Sequence, residues 1–198
     1  TFWALDAKLA YSRHYPSINW MNSYSGYLGD IAKWWGENIS EDWFGIRNEA
    51  YGILQREDTL KEIVKLLGPD ALPDEEKLIL EIARMVKIGL LQQNSFDDVD
   101  TYCSPEKQFK LLKLVVDFYK LGQQSLKEGT PLASIRELPV VTSLLKARMD
   151  IKDDEMPKLD QLENDMKEQF KNISGVKVTN WPLKAEFNTA RLLKLKDH

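Results

Sequence analysis

Cysteine is nearly absent from this sequence, because Cys103 is the only one among 198 residues. No disulfide can form within the chain, which excludes the small secreted domains that depend on several disulfide bridges. Histidine is equally scarce, with only His14 and His198, so the sequence offers no Cys/His cluster for zinc. His14 has no nucleophile beside it and is expected simply to carry a charge. The fold must therefore rest on a hydrophobic core, for which 43% apolar residues are sufficient.

Long apolar runs and an excess of positive charge are also missing. No stretch approaches the roughly 20 apolar residues that a helix needs to cross a bilayer. The formal net charge is −4, and no basic stripe interleaved with aromatic residues is visible. Such a chain lacks the electrostatic surface that binds a phosphate backbone. We therefore expect neither direct membrane insertion nor a nucleic-acid partner.

A phosphate-binding loop is missing as well. ATP-hydrolysing sites of the common type need a G-x-x-x-x-G-K loop and a Ser or Thr for the metal. The ten glycines of this chain are scattered, and none stands in that pattern. The sequence therefore predicts that this chain alone does not hydrolyse ATP and requires no cofactor.

Apolar side chains recur at intervals of three and four residues over most of the chain, which is typical of helices. The longest predicted helix begins near Ser40 as its N-cap and ends at Gly68-Pro69. Pro73 opens the next helix, so the two are expected to form an antiparallel helix-turn-helix. No segment alternates with a period of two for long enough to build a sheet. The sequence thus predicts an all-α helical bundle.

Further start signals occur along the chain. Ser104-Pro105 combines a hydroxyl cap with a proline at the first helical position, Thr130-Pro131 repeats this signal, and Leu138-Pro139 divides the next segment into short helices. Three apolar stripes are predicted to face the core: Leu78, Ile82, Met85, Val86 and Leu90; Phe109, Leu112, Val116 and Tyr119; and Leu159, Leu162, Met166 and Phe170.

Three regions differ in composition. Residues 1–24 begin with an apolar strand over 2–5 that has no evident pairing partner, followed by a connecting arm; we interpret them as the end of a preceding domain. Residues 25–173 are the helical domain. The composition changes again over 174–198, a tail that is either a lineage-specific extension or a product of cloning.

Five motifs occur in order along the chain. They are FWALD at 2–6, RHYPSINW at 13–20, IVKLLGPDALPDEEKL at 63–78, LQQNSF at 91–96 and DTYCSPEKQ at 100–108. Their order closely resembles the C-terminal region of the catalytic A subunit of archaeal-type and vacuolar-type rotary ATPases. The resemblance covers about residues 1 to 150. It implies a C-terminal helical domain preceded by the end of a nucleotide-binding domain.

The resemblance implies that this domain supplies one half of a nucleotide site. Tyr15 and Phe96 match positions that flank the adenine ring, and Gln92, Gln93 and Asn94 stand where amides could read the ring edge or the ribose. A flat base needs aromatic faces more than charges, and stacking contributes about 1–3 kcal/mol. Composition alone would favour ordinary core aromatics at both positions. Only the matched context favours the nucleotide role.

The resemblance also implies that the turn between the first two long helices contacts the central rotor. The residues concerned are Asp70, Ala71, Leu72, Pro73, Asp74, Glu75 and Glu76. The acidic residues among them have a second explanation: they stand in the solvent-exposed first turn of a helix, where negative charge interacts favourably with the helix dipole.

The resemblance makes Cys103 a candidate redox residue. In some vacuolar relatives a cysteine here forms a regulatory disulfide with the phosphate loop, which this chain does not contain. A lone cysteine among apolar neighbours is more often a small buried hydrophobe.

For the full-length protein, the resemblance implies ATP synthesis or hydrolysis coupled to translocation of H⁺ or Na⁺, with ATP or ADP and Mg²⁺ bound. The implied partners are non-catalytic B subunits, which complete an A3B3 hexamer, and the central-stalk rotor subunits. The implied location is peripheral, on the cytoplasmic side of the cell membrane. The alternative is a stand-alone helical protein-interaction module without a nucleotide role, and a phosphate loop upstream in the gene would decide against it.

Overall fold

The computed structural model describes residues 1–174, so that the tail predicted at 174–198, apart from its first residue, and His198 lie outside the described residues. The described part is predominantly helical, which confirms the predicted all-α class. Its helices are α1 (Ala7–Tyr11), α2 (Leu28–Asn38), α3 (Trp43–Leu67), α4 (Asp74–Val86), α5 (Pro105–Lys127), α6 (Leu132–Arg136), α7 (Pro139–Asp150) and α8 (Met156–Ser174), with a π-helical turn at Lys87–Leu91 and 3-10 turns at Pro69–Ala71 and Asp153–Glu155.

The N-terminal arm folds back on itself, contrary to the prediction that its strand has no neighbour. Phe2 forms an antiparallel bridge with Tyr24, and Leu5 forms one with Ile18. The Phe2 amide donates to the Tyr24 carbonyl at 2.8 Å, and the two rings stack with centroids 5.7 Å apart. Asp6 caps α1 by accepting from the amide of the second residue after it. The pairing was missed because the two short segments lie far apart in sequence.

The predicted signals at the ends of α3 and α4 are correct to within a few residues. The α3 helix begins at Trp43 rather than at Ser40, whose hydroxyl instead accepts from the Asp42 amide at 3.2 Å in the preceding turn. Gly68 ends α3 with a φ of 84°, a left-handed conformation that glycine adopts without strain. Pro73 stands immediately before α4.

The helix α5 lies at the centre of the core and is buried on two faces. Its main face packs with α4, α7 and α8 through Leu111, Leu114, Val115, Phe118 and Leu121. The stripe predicted for this helix is the second face, of which Val116 is fully buried against α3, whereas Phe109, Leu112 and Tyr119 are half-buried. A central helix touches neighbours on both sides, so no single stripe marks its core.

The stripes predicted for α4 and α8 are confirmed. Leu78, Ile82, Met85 and Val86 are each at most 2% exposed, while Leu90, in the π-helical turn, is half-buried beside them. Leu159, Leu162, Met166 and Phe170 are buried too, and the Phe170 ring meets Phe118 edge-on at 5.0 Å. Among the helices of residues 1–174, none combines the length and the apolar character that crossing a membrane requires.

Candidate functional site

A cavity of about 690 Å³ opens where the N-terminal arm meets the loop that comes after the π-helical turn. All five residues predicted to bind nucleotide line it: Tyr15, Gln92, Gln93, Asn94 and Phe96. The arm adds Arg13 to one side, and α7 adds the apolar side chains of Leu145 and Met149. The volume falls within the roughly 300–1,000 Å³ that is usual for small-molecule sites. Two motifs far apart in sequence therefore meet at one cavity of suitable size.

Backbone hydrogen bonds bring the two motifs together. The amide of Gln93 donates to the Tyr15 carbonyl at 2.7 Å, which ties the loop to the arm. The side chain of Asn94 accepts from the Phe96 amide at 3.1 Å, so the loop turns sharply before the aromatic ring. Tyr15 is 54% exposed and Phe96 is 97% exposed. Neither is a core aromatic, because a core ring would be almost fully buried.

Three charged cavity residues, Arg13, Asp100 and Arg148, were missed from the sequence, and two of them are buried. Asp100 and Arg148 are 1% and 4% exposed, and their side chains form an ion pair. Asp100 lies in one of the five motifs, but nothing in that motif distinguishes a buried carboxylate from a solvated one. Arg148 stands near the end of α7, where a cation is normally interpreted as a surface residue interacting with the helix dipole. Only the packing of α7 against the loop reveals the pair.

His14 is buried beside the cavity, contrary to the prediction that it carries a charge in the arm. Its ring meets Trp20 edge-on with centroids 5.5 Å apart, and its Nε2 has no hydrogen-bond partner within the described residues. Burial, together with the positive charges of Lys87 and Arg148, lowers the pKa of His14. The neutral imidazole is therefore favoured, because charging it would place an unpaired cation near two others.

Lys87 links the arm to the core beside this histidine. Its ammonium group lies 5.5 Å from the centre of the Trp20 ring and forms an ion pair with Glu57 of α3. Burial lowers the pKa of Lys87 to about 8, against the opposing effect of the Glu57 carboxylate. A cation held between an aromatic ring and a carboxylate fixes the arm on the helical domain.

The segment predicted to contact the rotor, residues 70–76, is mostly exposed. Asp70, Ala71, Pro73, Asp74 and Glu75 are exposed, as a surface contact requires. Two members differ: Leu72 is only 4% exposed, and Glu76 accepts from Arg56 of α3 at 2.8 Å. Leu72 is thus unavailable to a partner in this structure, since it anchors the segment to the domain.

The end of α3 adds apolar surface next to this segment. Leu66 and Leu67 are 84% and 71% exposed, although both are large aliphatic residues. They directly precede Gly68, so they extend the exposed segment toward the helix. An apolar group on such a projection is typical of a contact surface.

Cys103 is half-buried and packs against the core, with Leu90 and Leu91 around a smaller cavity of about 310 Å³. Burial raises the pKa of its thiol to about 11, against the opposing charge of Lys107. Because the thiolate is the reactive form, this environment favours the small-hydrophobe interpretation over a redox role. Residues 1–174 contain no group of three or more His, Cys, Asp and Glu that could hold a metal ion.

Comparison with known proteins gives consistent results. A family described as the C-terminal domain of V and A type ATP synthase matches residues 32–136. The chain is 49% identical over 178 residues to the A subunit of the A-type ATP synthase of Hyperthermus butylicus, a match that covers 89% of this chain and 30% of that relative. It is 47% identical over 175 residues to the protein of the same name from Ignicoccus hospitalis, covering 87% of the chain and 29% of the relative.

A relative named as a V-type subunit is similar over nearly the same length of this chain. The chain is 42% identical over 172 residues to the V-type ATP synthase alpha chain of Halothermothrix orenii, covering 87% of this chain and 29% of that relative. The chain thus spans about 30% of the length of the curated relatives it matches.

Proposed function

Because this chain belongs to the family of C-terminal domains of V- and A-type ATP synthases, we propose that it forms that domain of a catalytic A subunit. The full-length protein synthesises or hydrolyses ATP and couples this to translocation of H⁺ or Na⁺. It assembles with non-catalytic B subunits into an A3B3 hexamer that contacts the central-stalk rotor. The complex is peripheral, on the cytoplasmic side of the cell membrane. A stand-alone interaction module is not favoured, since the relatives are ATP synthase subunits.

Within that protein, this domain contributes the adenine side of the nucleotide site. One observation carries this role: Tyr15 and the loop residues from Gln92 to Phe96 line the same cavity. Exposed aromatic faces suit the flat surface of a base, and side-chain amides suit its polar edge. The sequence contains no G-x-x-x-x-G-K loop, and residues 1–174 contain no group of three or more His, Cys, Asp and Glu that could hold a metal ion, so the preceding nucleotide-binding domain supplies the phosphate and Mg²⁺ contacts.

Replacing the two aromatics by alanine in the assembled enzyme tests this role. Tyr15→Ala and Phe96→Ala should each raise the KM for ATP by a factor that corresponds to about 1–3 kcal/mol, because one stacking face is lost. The matched controls are Tyr11→Ala and Tyr102→Ala. Both are exposed tyrosines, 88% and 67%, that do not line the cavity.

Photolabelling with an azido-adenine nucleotide gives a direct readout of the same site. We expect label on Tyr15 or within residues 92–96, and none on Tyr102. Unchanged KM values in folded Tyr15 and Phe96 variants, with label elsewhere, would rule out the adenine role.

The exposed end of α3 and the segment after it form the rotor contact. Its exposed members are Leu66, Leu67, Pro69, Asp70, Ala71, Pro73, Asp74 and Glu75. Pro69 and Pro73 restrict the backbone of the turn, which suits a contact that transmits force through its shape. Leu72 is excluded from the contact because it is buried.

Cross-linking tests the rotor contact. A cysteine at Glu75, in a Cys103→Ser background, should cross-link to the central stalk of the assembled enzyme. A cysteine at Glu106, which is also exposed but lies in the first turn of α5, should not. If the cysteine at Glu75 fails to cross-link and the cysteine at Glu106 succeeds, the rotor contact must lie on another face of the domain.

A further inference from the structure

The loop that carries most of the cavity residues has no regular secondary structure of its own. Residues 92–104 connect the π-helical turn to α5 without a helix or a strand. Loops of this length are uncommon in a compact domain and are often functional. Without the hydrogen bonds of a helix or strand, the shape of this loop depends on other contacts. In this loop the fixing group is Asp100.

Asp100 lies within the loop and holds its other residues through hydrogen bonds. Its Oδ2 accepts from the Asn94 amide at 2.6 Å, and its carbonyl oxygen accepts from the Gln93 side chain at 2.9 Å. Asp97 holds Asp100 in turn, because the Asp97 Oδ1 accepts from the Asp100 amide at 2.9 Å. Two of the five residues predicted to bind nucleotide, Gln93 and Asn94, therefore depend on one buried residue for their position.

Arg148 connects this carboxylate to the rest of the domain. Its Nη1 donates to the Oδ1 of Asp100, and its Nε donates to the Gly89 carbonyl at 3.3 Å. Its own carbonyl accepts from the ammonium group of Lys107, which is fully buried, at 3.0 Å. The guanidinium thus joins α7, the π-helical turn and the loop.

The backbone contact at Gly89 shows how closely these elements are packed. A Cβ at Gly89 would lie 3.3 Å from the Leu144 carbonyl oxygen of α7, which is tighter than ordinary contact. The backbone of the π-helical turn therefore lies directly against the backbone of α7. Arg148 connects this closely packed region to the loop.

We propose that Asp100 and Arg148 are positioning residues that set the affinity of the cavity for nucleotide by holding the loop of Gln93, Asn94 and Phe96. This inference rests on the proposed adenine role. A planar guanidinium donates in two directions at fixed geometry, to the Asp100 carboxylate and to Gly89, which a lysine cannot do. The buried pair therefore supplies geometry in addition to charge.

Two variants each remove one feature of the pair in the assembled enzyme. Arg148→Lys keeps the positive charge but removes the planar guanidinium and its two donor directions. Asp100→Asn keeps an oxygen that can accept from the Asn94 amide but removes the negative charge. Each should raise the KM for ATP by about tenfold and change kcat by less than about twofold, because the pair acts on binding and touches no reacting group.

Glu163→Gln provides the matched control. Glu163 accepts from Lys110 at 2.6 Å, in a partly buried ion pair between α8 and α5, and neither residue lines the cavity. This variant should lower the Tm and leave the KM for ATP unchanged. A KM increase as large as that of Arg148→Lys would mean that general destabilisation, and not positioning, affects the site, and would overturn the proposal.

A double-mutant cycle between Arg148→Lys and Phe96→Ala completes the test. If Arg148 acts through the loop, the two effects on KM should be less than additive, whereas independent effects would overturn the positioning role. If Phe96→Ala alone raises KM and both pair variants are folded and silent, the inference fails and the adenine role stands. If Tyr15→Ala and Phe96→Ala also leave the KM for ATP unchanged, both the positioning inference and the adenine role are contradicted. Failure of both pair variants to assemble would also overturn the inference, since the pair would then be a folding requirement.

Discussion

The amide of Gln93 donates a hydrogen bond of 2.7 Å to the carbonyl oxygen of Tyr15, and this single contact joins the two halves of the cavity. Because it links backbone to backbone, it does not require the aromatic side chains of Tyr15 or Phe96. Substitutions of Tyr15 and Phe96 can therefore change binding without removing the contact that shapes the site.

The isolated chain should not hydrolyse ATP. In the proposed role its residues contact adenine, and its sequence contains no G-x-x-x-x-G-K loop, so we expect weak nucleotide binding and no turnover. A phosphate-release assay at high protein concentration, repeated over successive purification steps, measures this. Activity that stays proportional to this chain through all steps would contradict the expectation.

Neighbouring residues of the rotor segment should differ sharply in their effect on stability. Asp74→Ala and Glu75→Ala should each lower the free energy of unfolding by only about 0.3–1 kcal/mol, because exposed acids interact weakly with the dipole of α4. Leu72→Ala should cost about 2–5 kcal/mol, since this side chain is buried. Urea unfolding of the chain measures all three. If all three substitutions lowered the free energy of unfolding equally, Leu72 would not be a buried anchor beside exposed acidic residues.

His14 should make the fold less stable in mild acid. Its pKa is lowered in the folded state, so below the ordinary value of 6.5 the unfolded chain binds the proton more tightly. The free energy of unfolding should therefore be fully retained above pH 6.5 and should fall as the pH drops toward the folded pKa. Urea unfolding at pH 7.5 and 5.5 measures this, with His14→Gln as the variant in which the difference should shrink.

Glu163 should contribute to stability in a more acidic range. Although burial opposes ionisation, the ammonium groups of Lys110 and Lys167 lower the pKa of Glu163 from 4.5 to about 2. Its contribution is present above pH 4.5 and is lost as the pH falls through the folded pKa. Comparison of acid unfolding in the unmodified chain and in Glu163→Gln should show the two curves converging between pH 4.5 and 2.

Cys103 should react slowly with thiol reagents. Burial raises the pKa of its thiol to about 11, so little thiolate is present near neutral pH. The rate of modification at pH 7.5 should be far below that of the same chain unfolded in urea. Similar rates in both states would show that the thiol is accessible and would restore a redox role.

The positions of the helices could be predicted because their signals are local. Ser104 accepts from the Lys107 amide at 3.3 Å as the N-cap of α5, and Gly68 ends α3 in a left-handed conformation. Each signal acts within about one helical turn, and the three-four spacing of apolar residues is a consequence of the helix itself. The family resemblance added the cavity residues, which local signals do not identify.

Long-range packing decided the remaining features. Contacts between distant segments bury His14 and Leu72 and pair Asp100 with Arg148. The spacing of residue types along the sequence does not indicate these contacts. A charged or polar residue is expected to be exposed unless a partner is known, and the partner of Asp100 lies 48 positions away in α7. The sequence by itself determined the long helices, the cap at Ser104, the end of α3 at Gly68 and most of the core. Only the tertiary structure determined how the arm and the loop meet, because that arrangement is fixed by hydrogen bonds between distant segments.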